Sequence, residues 1–279
     1  MTKVFTNTPH MKFSIITVNY NNAAGLENTI KSVLSQTHAD FDFVVIDGGS
    51  SDSSKGIIEQ YRARISYWVS EKDMGVYNAM NKGIRAAKGD FVIFMNSGDV
   101  FYNANVLQNA NPLINADYAI YYGNNIKKSP SSERLKTYPA KLSFSFFYSS
   151  SLNHQSTFIK RSLFDELFYY NEQYKIASDW EFFAYAICLH NVPYKHLDQT
   201  ISIYDFTGIS TTQSDLLAKE KHDSIRKHFP AFEDDYVDIS LLTSKRVQQV
   251  FHIQKFPLAW RFLKNFISLL LLFVPKLKR

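Results

Sequence analysis

Through the first hundred residues, unbroken apolar runs alternate with apolar positions at helical spacing. Residues 13–18 (FSIITV) make a run of strand length, after which Leu26, Ile30, Val33 and Leu34 recur on one helical face. Residues 41–46 (FDFVVI) form a second such run ending at Asp47. Ser51 or Asp52 is a suitable N-cap for the helix that follows, which turns Ile57, Ile58 and Tyr61 inward. Residues 65–69 predict a third strand. Val76, Met80, Ile84 and Ala87 predict a helix stopped by Gly89, and 91–95 (FVIFM) a fourth strand. This alternation implies an α/β fold with a mainly parallel, doubly wound sheet flanked by helices.

Beyond Asp99 the pattern loosens. Residues 118–122 predict a strand and 129–132 a turn-rich connection, while the aromatic, serine-rich stretch 141–152 has no period. Residues 179–190 predict a helix with Trp180, Ala184 and Ile187 on one face, and 216–229 another. There is no internal repeat. The change near residue 100 is one of role rather than a linker.

At 279 residues there is chain enough for one large α/β domain plus an appendage. The lone cysteine, Cys188, excludes an internal disulfide and lies in an apolar run, which suits a structural thiol in a reducing compartment. Residues 1–11 have no apolar core like that of a secretion signal and read as a loose leader. The net charge of +5 invites a nucleic-acid partner, but from Lys255 onward there are six basic residues and no acidic one. Taking those six from the 31 basic residues leaves 25 against 26 acidic, so the body lacks the basic stripe that a nucleic-acid partner requires.

Three predicted strands end in polar residues: Thr17-Val18-Asn19-Tyr20, Asp47-Gly48-Gly49-Ser50 and Asn96-Ser97-Gly98-Asp99. In a parallel sheet these ends share one edge, where ligands of open α/β folds bind. Each alone is an ordinary turn; three on one edge favour a site. Asp47 is placed to accept from a base or ribose, Gly48 and Gly49 allow close backbone approach, and Asp99 is placed to hold a divalent ion against a diphosphate.

The segments FSIITVNYNN, VVIDGGSSDSS, SEKDMGVYNAMNKGIRAAKGD and FVIFMNSGD, followed by NHQSTF and YKIASDWEFF, resemble glycosyltransferase family 2, in particular its bacterial polysaccharide-assembly subgroup. The resemblance covers about residues 12–210. It implies a GT-A (Rossmann-like) domain over 12–225, with a nucleotide-binding half at 12–100 and an acceptor half at 101–225. It further implies that Thr17, Asn19 and Tyr20 line the nucleoside pocket with Asp47, Gly48 and Asn96, that Asp73 lies beside the nucleotide, that Asp99 holds Mg2+ or Mn2+, and that Asp179 is the catalytic base. The chain departs from the family pattern at three points. Asn96 and Gly98 replace acidic residues of the metal turn, Gly48 replaces an acid after Asp47, and Met80 stands where relatives have arginine, leaving Lys82 as the nearest cation.

Ser178-Asp179 also fits a helix N-cap, so spacing leaves Asp179 between a capping and a catalytic role. His154 and Gln155 precede a predicted strand and are placed for the diphosphate or the acceptor. The segment Gly208-Ile209-Ser210 resembles a loop near the acceptor. In the tail, Arg261, Lys264, Asn265 and Ser268 share one helical face, opposite Leu258, Phe262, Phe266, Leu269 and Phe273. With Lys276, Lys278 and Arg279 behind it, residues 256–279 suit a helix lying on an anionic membrane surface within a helical extension at 226–279; a helix docked on the body or on a dimer partner is the rival.

The expected protein is an inverting glycosyltransferase, cytoplasmic and peripheral to the inner face of the cell membrane. It would move one sugar from a nucleotide-diphosphate sugar, UDP before GDP, to a glycan or lipid-linked acceptor of surface polysaccharide synthesis. The QxxRW signature of processive relatives is missing. A sugar-nucleotide pyrophosphorylase is a rival, but the turn Asn19-Tyr20-Asn21-Asn22 is not its glycine-rich basic loop. A non-catalytic nucleotide-sugar or membrane-binding scaffold is the other.

Overall fold

Four parallel strands carry the first half of the chain. The computed structural model describes residues 12–129, 132–205 and 213–275. The leader 1–11, the Gly208–Ser210 segment and Lys276, Lys278 and Arg279 lie outside the described residues. Strands β1 (Phe13–Asn19), β2 (Phe41–Asp47), β3 (Tyr67–Ser70) and β4 (Phe91–Phe94) lie in the order β3-β2-β1-β4, joined by α1 (Ala23–Leu34), α2 (Ser54–Tyr61) and α3 (Val76–Ala86). Their apolar runs are continuous because both faces are covered. Phe13, Ile15, Phe43, Val45 and Ile93 share a buried cluster with Leu26, Ile30 and Val33 of α1, while Gly83 of α3 lies against Ile16 on the other face.

The parallel expectation holds only for this half. After β4 and its polar turn come β5 (Val100–Phe101), α4 (Val106–Ala110), β6 (Ile120–Ser129), β7 (Ser132–Lys136), α5 (Phe144–Ser149), β8 (Thr157–Lys160), α6 (Ser162–Glu166), α7 (Ser178–Ala184), β9 (Tyr194–Asp205) and α8 (Ser214–His228). The sheet continues from β4 as β8-β6-β9-β5, with β7 paired to β6, and only β6·β9 in this part is parallel. The connection predicted at 129–132 is the tip of the β6–β7 hairpin, so the strand expected at 118–122 runs on to Ser129.

Several boundaries shift for local reasons. The third strand starts at Tyr67 rather than Ile65, because Ile65 caps the 3-10 turn Arg62–Arg64 with its N–H on Arg62 O at 3.2 Å. Helix α2 starts at Ser54 rather than at Ser51 or Asp52. Asp52 accepts from Ser54 N–H at 3.0 Å and from Ala23 N–H at 2.9 Å, so one carboxylate serves the first turns of two helices. The aperiodic stretch at 141–152 contains α5, capped by Ser143. The helix expected over 179–190 is α-helical to Ala184 and then widens into a π turn, Tyr185–Leu189. Cys188 is half-buried there, and burial pushes its thiol up to about 11, consistent with an unreactive role.

Helix α3 ties the halves together. Asn81 is buried; its Nδ2 donates to Tyr170 O and to Glu172 Oε1, both at 2.8 Å, and its Oδ1 accepts from Tyr170 N–H at 3.0 Å. Asn78 donates to Glu172 Oε2 at 2.7 Å. These polar positions explain why the motif YNAMNKG mixes buried apolar and amide residues.

Contacts divide the chain into two units, one through Ser224 and one from Ile225. The second contains α9 (Glu233–Thr243), α10 (Lys245–Gln254) and α11 (Pro257–Leu270). On α11, Leu258, Phe262, Phe266 and Leu269 are exposed along one face; the helix ends at Leu270, so Phe273, expected on that face, lies exposed in the turn beyond it. Among the described residues, no helix is long and apolar enough to cross a membrane.

Candidate active site

The parallel register sets Asn19 of β1 beside Asp47 of β2, and Asp47 beside Ser70 of β3. Asp47 is wholly buried and accepts four hydrogen bonds: Asn19 Nδ2 at 2.7 Å and Ser50 Oγ at 2.6 Å on Oδ1, Ser70 Oγ at 2.7 Å and Ser50 N–H at 3.0 Å on Oδ2. Burial alone would raise its pKa, but the donors from Ser50, Ser70 and Asn19 outweigh it and hold the carboxyl below the usual value. All four acceptor positions of the carboxylate are thereby filled. Asp47 thus organises the edge from within, and no part of it is open to a ligand in this state. Thr17 is likewise buried and donates to Met95 O at 2.7 Å, tying β1 to the end of β4.

The open surface is formed by their neighbours. Tyr20 is 66% exposed, and a Cβ added at Gly48 would overlap the Asp73 carboxylate and approach the Tyr20 ring at 3.3 Å. A side chain at that position would have to displace Asp73, which comes across from the segment after β3 to fill the space. An exposed aromatic ring and a carboxylate lie side by side, as a base and ribose require. Asp73 Oδ1 accepts from Gly75 N–H at 2.9 Å.

Next along the edge is the turn after β4. Asp99 N–H bonds Asn96 O at 2.8 Å, and Gly98 supplies the positive φ (+103°) that a side chain would resist. Buried Thr29 of α1 accepts from Gly98 N–H at 3.0 Å and lies 2.8 Å from Asp99 O, so α1 grips the turn. Ser97 Oγ donates to Asn19 Oδ1 at 2.6 Å, joining turn and buried row. Lys82 pairs with Glu71 at 2.7 Å, and Met80 is buried, so neither provides a cation at this turn.

Asp179 reaches the same place from the second half. The α7 cap position belongs to Ala177, which removes the capping role weighed for Asp179. Its Oδ1 accepts from Tyr77 OH at 3.0 Å and Trp180 N–H at 2.9 Å, and its Oδ2 lies 2.9 Å from His154 Nδ1. His154 Nε2 is 3.1 Å from Asn96 Nδ2. With the amide nitrogen donating there, the neutral ring accepts at Nε2 and donates from Nδ1 to Asp179. Burial opposes protonation of His154, yet Asp179, with Asp99 behind it, holds its pKa above the usual histidine value.

Asn96, Asp99, His154, Gln155 and Asp179 line one cavity of about 660 Å³. Asn96 Oδ1 and Gln155 Oε1 are buried with no partner among the described residues. No group of three or more His, Cys, Asp or Glu side chains suited to a metal occurs among the described residues. Asp99 with the orphaned Asn96 carbonyl nevertheless fits a hard cation that takes its other ligands from phosphate and water.

Sequence reasoning missed Tyr77 and Glu220. Buried Glu220 of α8 accepts from the N–H groups of Lys175, Ile176 and Ala177 at 2.8–3.0 Å and so fixes the loop leading to Asp179. No local pattern shows a carboxylate acting more than forty positions away. Tyr77 stood within a recognised segment, but its partner lies 102 positions on.

The sheet and edge together define a GT-A nucleotide-sugar fold. A family model, glycosyl transferase family 2, matches residues 14–173. The chain belongs to this family and is an enzyme of the glycosyl-transfer class. It is 28% identical over 206 residues to a PGL/p-HBAD biosynthesis glycosyltransferase of Mycobacterium tuberculosis, covering 72% of this chain and 79% of that one. It is 32% identical over 178 residues to an uncharacterized glycosyltransferase of the same species, covering 62% and 68%. Among solved structures, S. aureus TarS 1-349 superposes with a TM-score of 0.63 at 21% identity, over 85% of this chain and 73% of that one. The mannosyltransferase PcManGT of Pyrobaculum calidifontis, in complex with GDP-Man and Mn2+, gives 0.61 at 15%, over 94% and 81%.

Asp47→Asn leaves donors at the buried edge without acceptors, an expected loss of roughly 1–3 kcal/mol at neutral pH by urea unfolding. Because folding lowers the Asp47 pKa, its contribution is complete above the ordinary value of 3.8 and fades as pH falls through the folded value. The gap between wild type and variant should therefore narrow in acid below that value.

Proposed function

We propose that the protein transfers a single sugar, with inversion, from a nucleoside-diphosphate donor to a glycan or lipid-linked acceptor in bacterial surface-polysaccharide synthesis. The observation that carries this reading is that Asp99 and Asp179, from opposite halves of the chain, line one cavity, while Tyr20 and Asp73 meet at Gly48 outside the lining of that cavity. Tyr20 and Asp73 receive the base and ribose, with Asn19, Asp47 and Thr17 supporting them from beneath, and Gly48 leaving room. UDP is preferred to GDP as the nucleotide. The relatives' complexes with nucleotide sugars make both sensible probes.

Asp99, with Asn96, would hold Mg2+ or Mn2+. When bound, the cation offsets charge on the departing nucleoside diphosphate. The acceptor hydroxyl attacks the anomeric carbon, the bond from that carbon to the diphosphate breaks, and Asp179 takes the hydroxyl proton on Oδ2. His154 orients that carboxylate through Nδ1, and the unpartnered Gln155 carbonyl is available to an acceptor hydroxyl. In a thermally intact Asp179→Asn variant, release of UDP or GDP from UDP-N-acetylglucosamine or GDP-mannose with water as acceptor should fall about 10²–10⁴-fold. Near-normal release would remove Asp179 as the base.

The exposed Leu258, Phe262, Phe266 and Leu269 face of α11, with Arg261 and Lys264 opposite, supports attachment to the inner membrane surface, where a lipid-linked acceptor would be met. Full-length protein should float with phosphatidylglycerol vesicles. F262E/F266E should stay in the soluble fraction, and equal flotation of the two would sink the attachment.

A further inference from the structure

The β6–β7 hairpin sets Lys127 directly opposite Arg134, and Asn125 opposite Lys136. Because side chains alternate along a strand, Lys127, Arg134 and Lys136 share one face, and all three line the cavity that contains Asp179. Like charges facing each other across a ladder destabilise it, so folding alone gives no reason for this pairing. A fourth cation comes from another element: Lys221 of α8 lines the same cavity, with Nζ 4.9 Å from the Trp180 ring centroid.

The two lysines are poorly hydrated. Burial pushes Lys136 down to about 8, with Lys127 adding to the shift and Asp179 opposing it. Burial does the same to Lys221, also to about 8, with Asp179 opposing and Lys136 adding. Lys136 Nζ donates to neutral oxygens, Asn153 Oδ1 at 3.0 Å and Ser151 O at 3.2 Å. Among the described residues, four cations and two carboxylates, Asp99 and Asp179, line this cavity, and Asp179 has His154 at 2.9 Å.

Sheet order says which substrate they meet. The nucleoside cleft lies at the ends of β1 and β2 and the diphosphate turn follows β4, whereas the hairpin begins at β6, two strands beyond β4. That is roughly 10 Å on the side away from the nucleoside. We infer that Lys127, Arg134, Lys136 and Lys221 form an acceptor subsite for an anionic oxyacid group, the phosphate of a lipid diphosphate or the carboxylate of an acidic sugar, carried close to the hydroxyl that is glycosylated. This inference rests on the glycosyl-transfer reading for the word acceptor, but the anion site itself can be measured apart from it.

Calorimetric titration of the full chain in EDTA, without nucleotide, uses three probes: geranyl diphosphate, glucuronate and uncharged octyl glucoside. Geranyl diphosphate or glucuronate should bind, and whichever does so identifies the group. K136Q/K221Q should weaken it at least tenfold, and R134Q, on an exposed side chain with little bearing on folding, should weaken it severalfold. Octyl glucoside should be indifferent to all three changes. Affinity for UDP or GDP with Mn2+ should stay within twofold in each variant. Absence of anion binding, anion affinity unchanged in both variants, or loss of nucleotide affinity in its place would each overturn the subsite. Anion binding without any nucleotide binding would leave the subsite standing and remove the glycosyl-transfer reading instead.

Discussion

The buried Asp47 carboxylate is the constraint on which the site depends. A charge excluded from water must be met by donors, and four converge on it from β1, β3 and the turn after β2. The parallel register brings Asn19 and Ser70 to its two sides. Its neighbour Asn19 is then oriented to accept from Ser97, which joins the turn after β4 to the same network. Slippage of β1 or β3 by a residue would break the Asn19 or the Ser70 link to Asp47.

From this edge the architecture is a matter of bringing a second half to it. Helix α3 does so with amides on one flank and Tyr77 at its start, and Glu220 closes the opposite side by holding the loop before α7. Asp179 is consequently fixed by groups from both halves, while His154 connects it to Asn96 of the turn. The carboxylates of Asp179 and Asp99 thereby line one cavity. Precise placement of that kind is what transfer between two bound substrates demands.

Much of the first half was legible in the sequence because its strands are covered on both faces and its helices on one, so apolar runs and helical spacing alternate cleanly. The three strand ends do share one edge, with Asn19 beside Asp47 and Ser97 bonded to Asn19, but of them only Asn96 and Asp99 line the cavity. What the sequence concealed was the direction of the later strands, since an antiparallel pair such as β4·β8 leaves no mark that a parallel one lacks. Spacing also misjudged Asp52 and Asp179. Asp52 supports two helix starts rather than capping one, and Asp179 sits past the cap, bonded to Tyr77. At the glycine after Asp47, a departure from the family pattern, the Asp73 carboxylate occupies the space that a side chain would take.

The central claim is that the sheet edge binds a nucleoside diphosphate through a cation held at Asp99. Titration of UDP and GDP into the wild type and Asp99→Asn, with and without Mn2+, tests it most directly. The account predicts that Mn2+ strengthens binding of at least one nucleotide tenfold or more in the wild type and does not do so in Asp99→Asn. Binding that ignores the metal, or an equal metal effect in the variant, would contradict it.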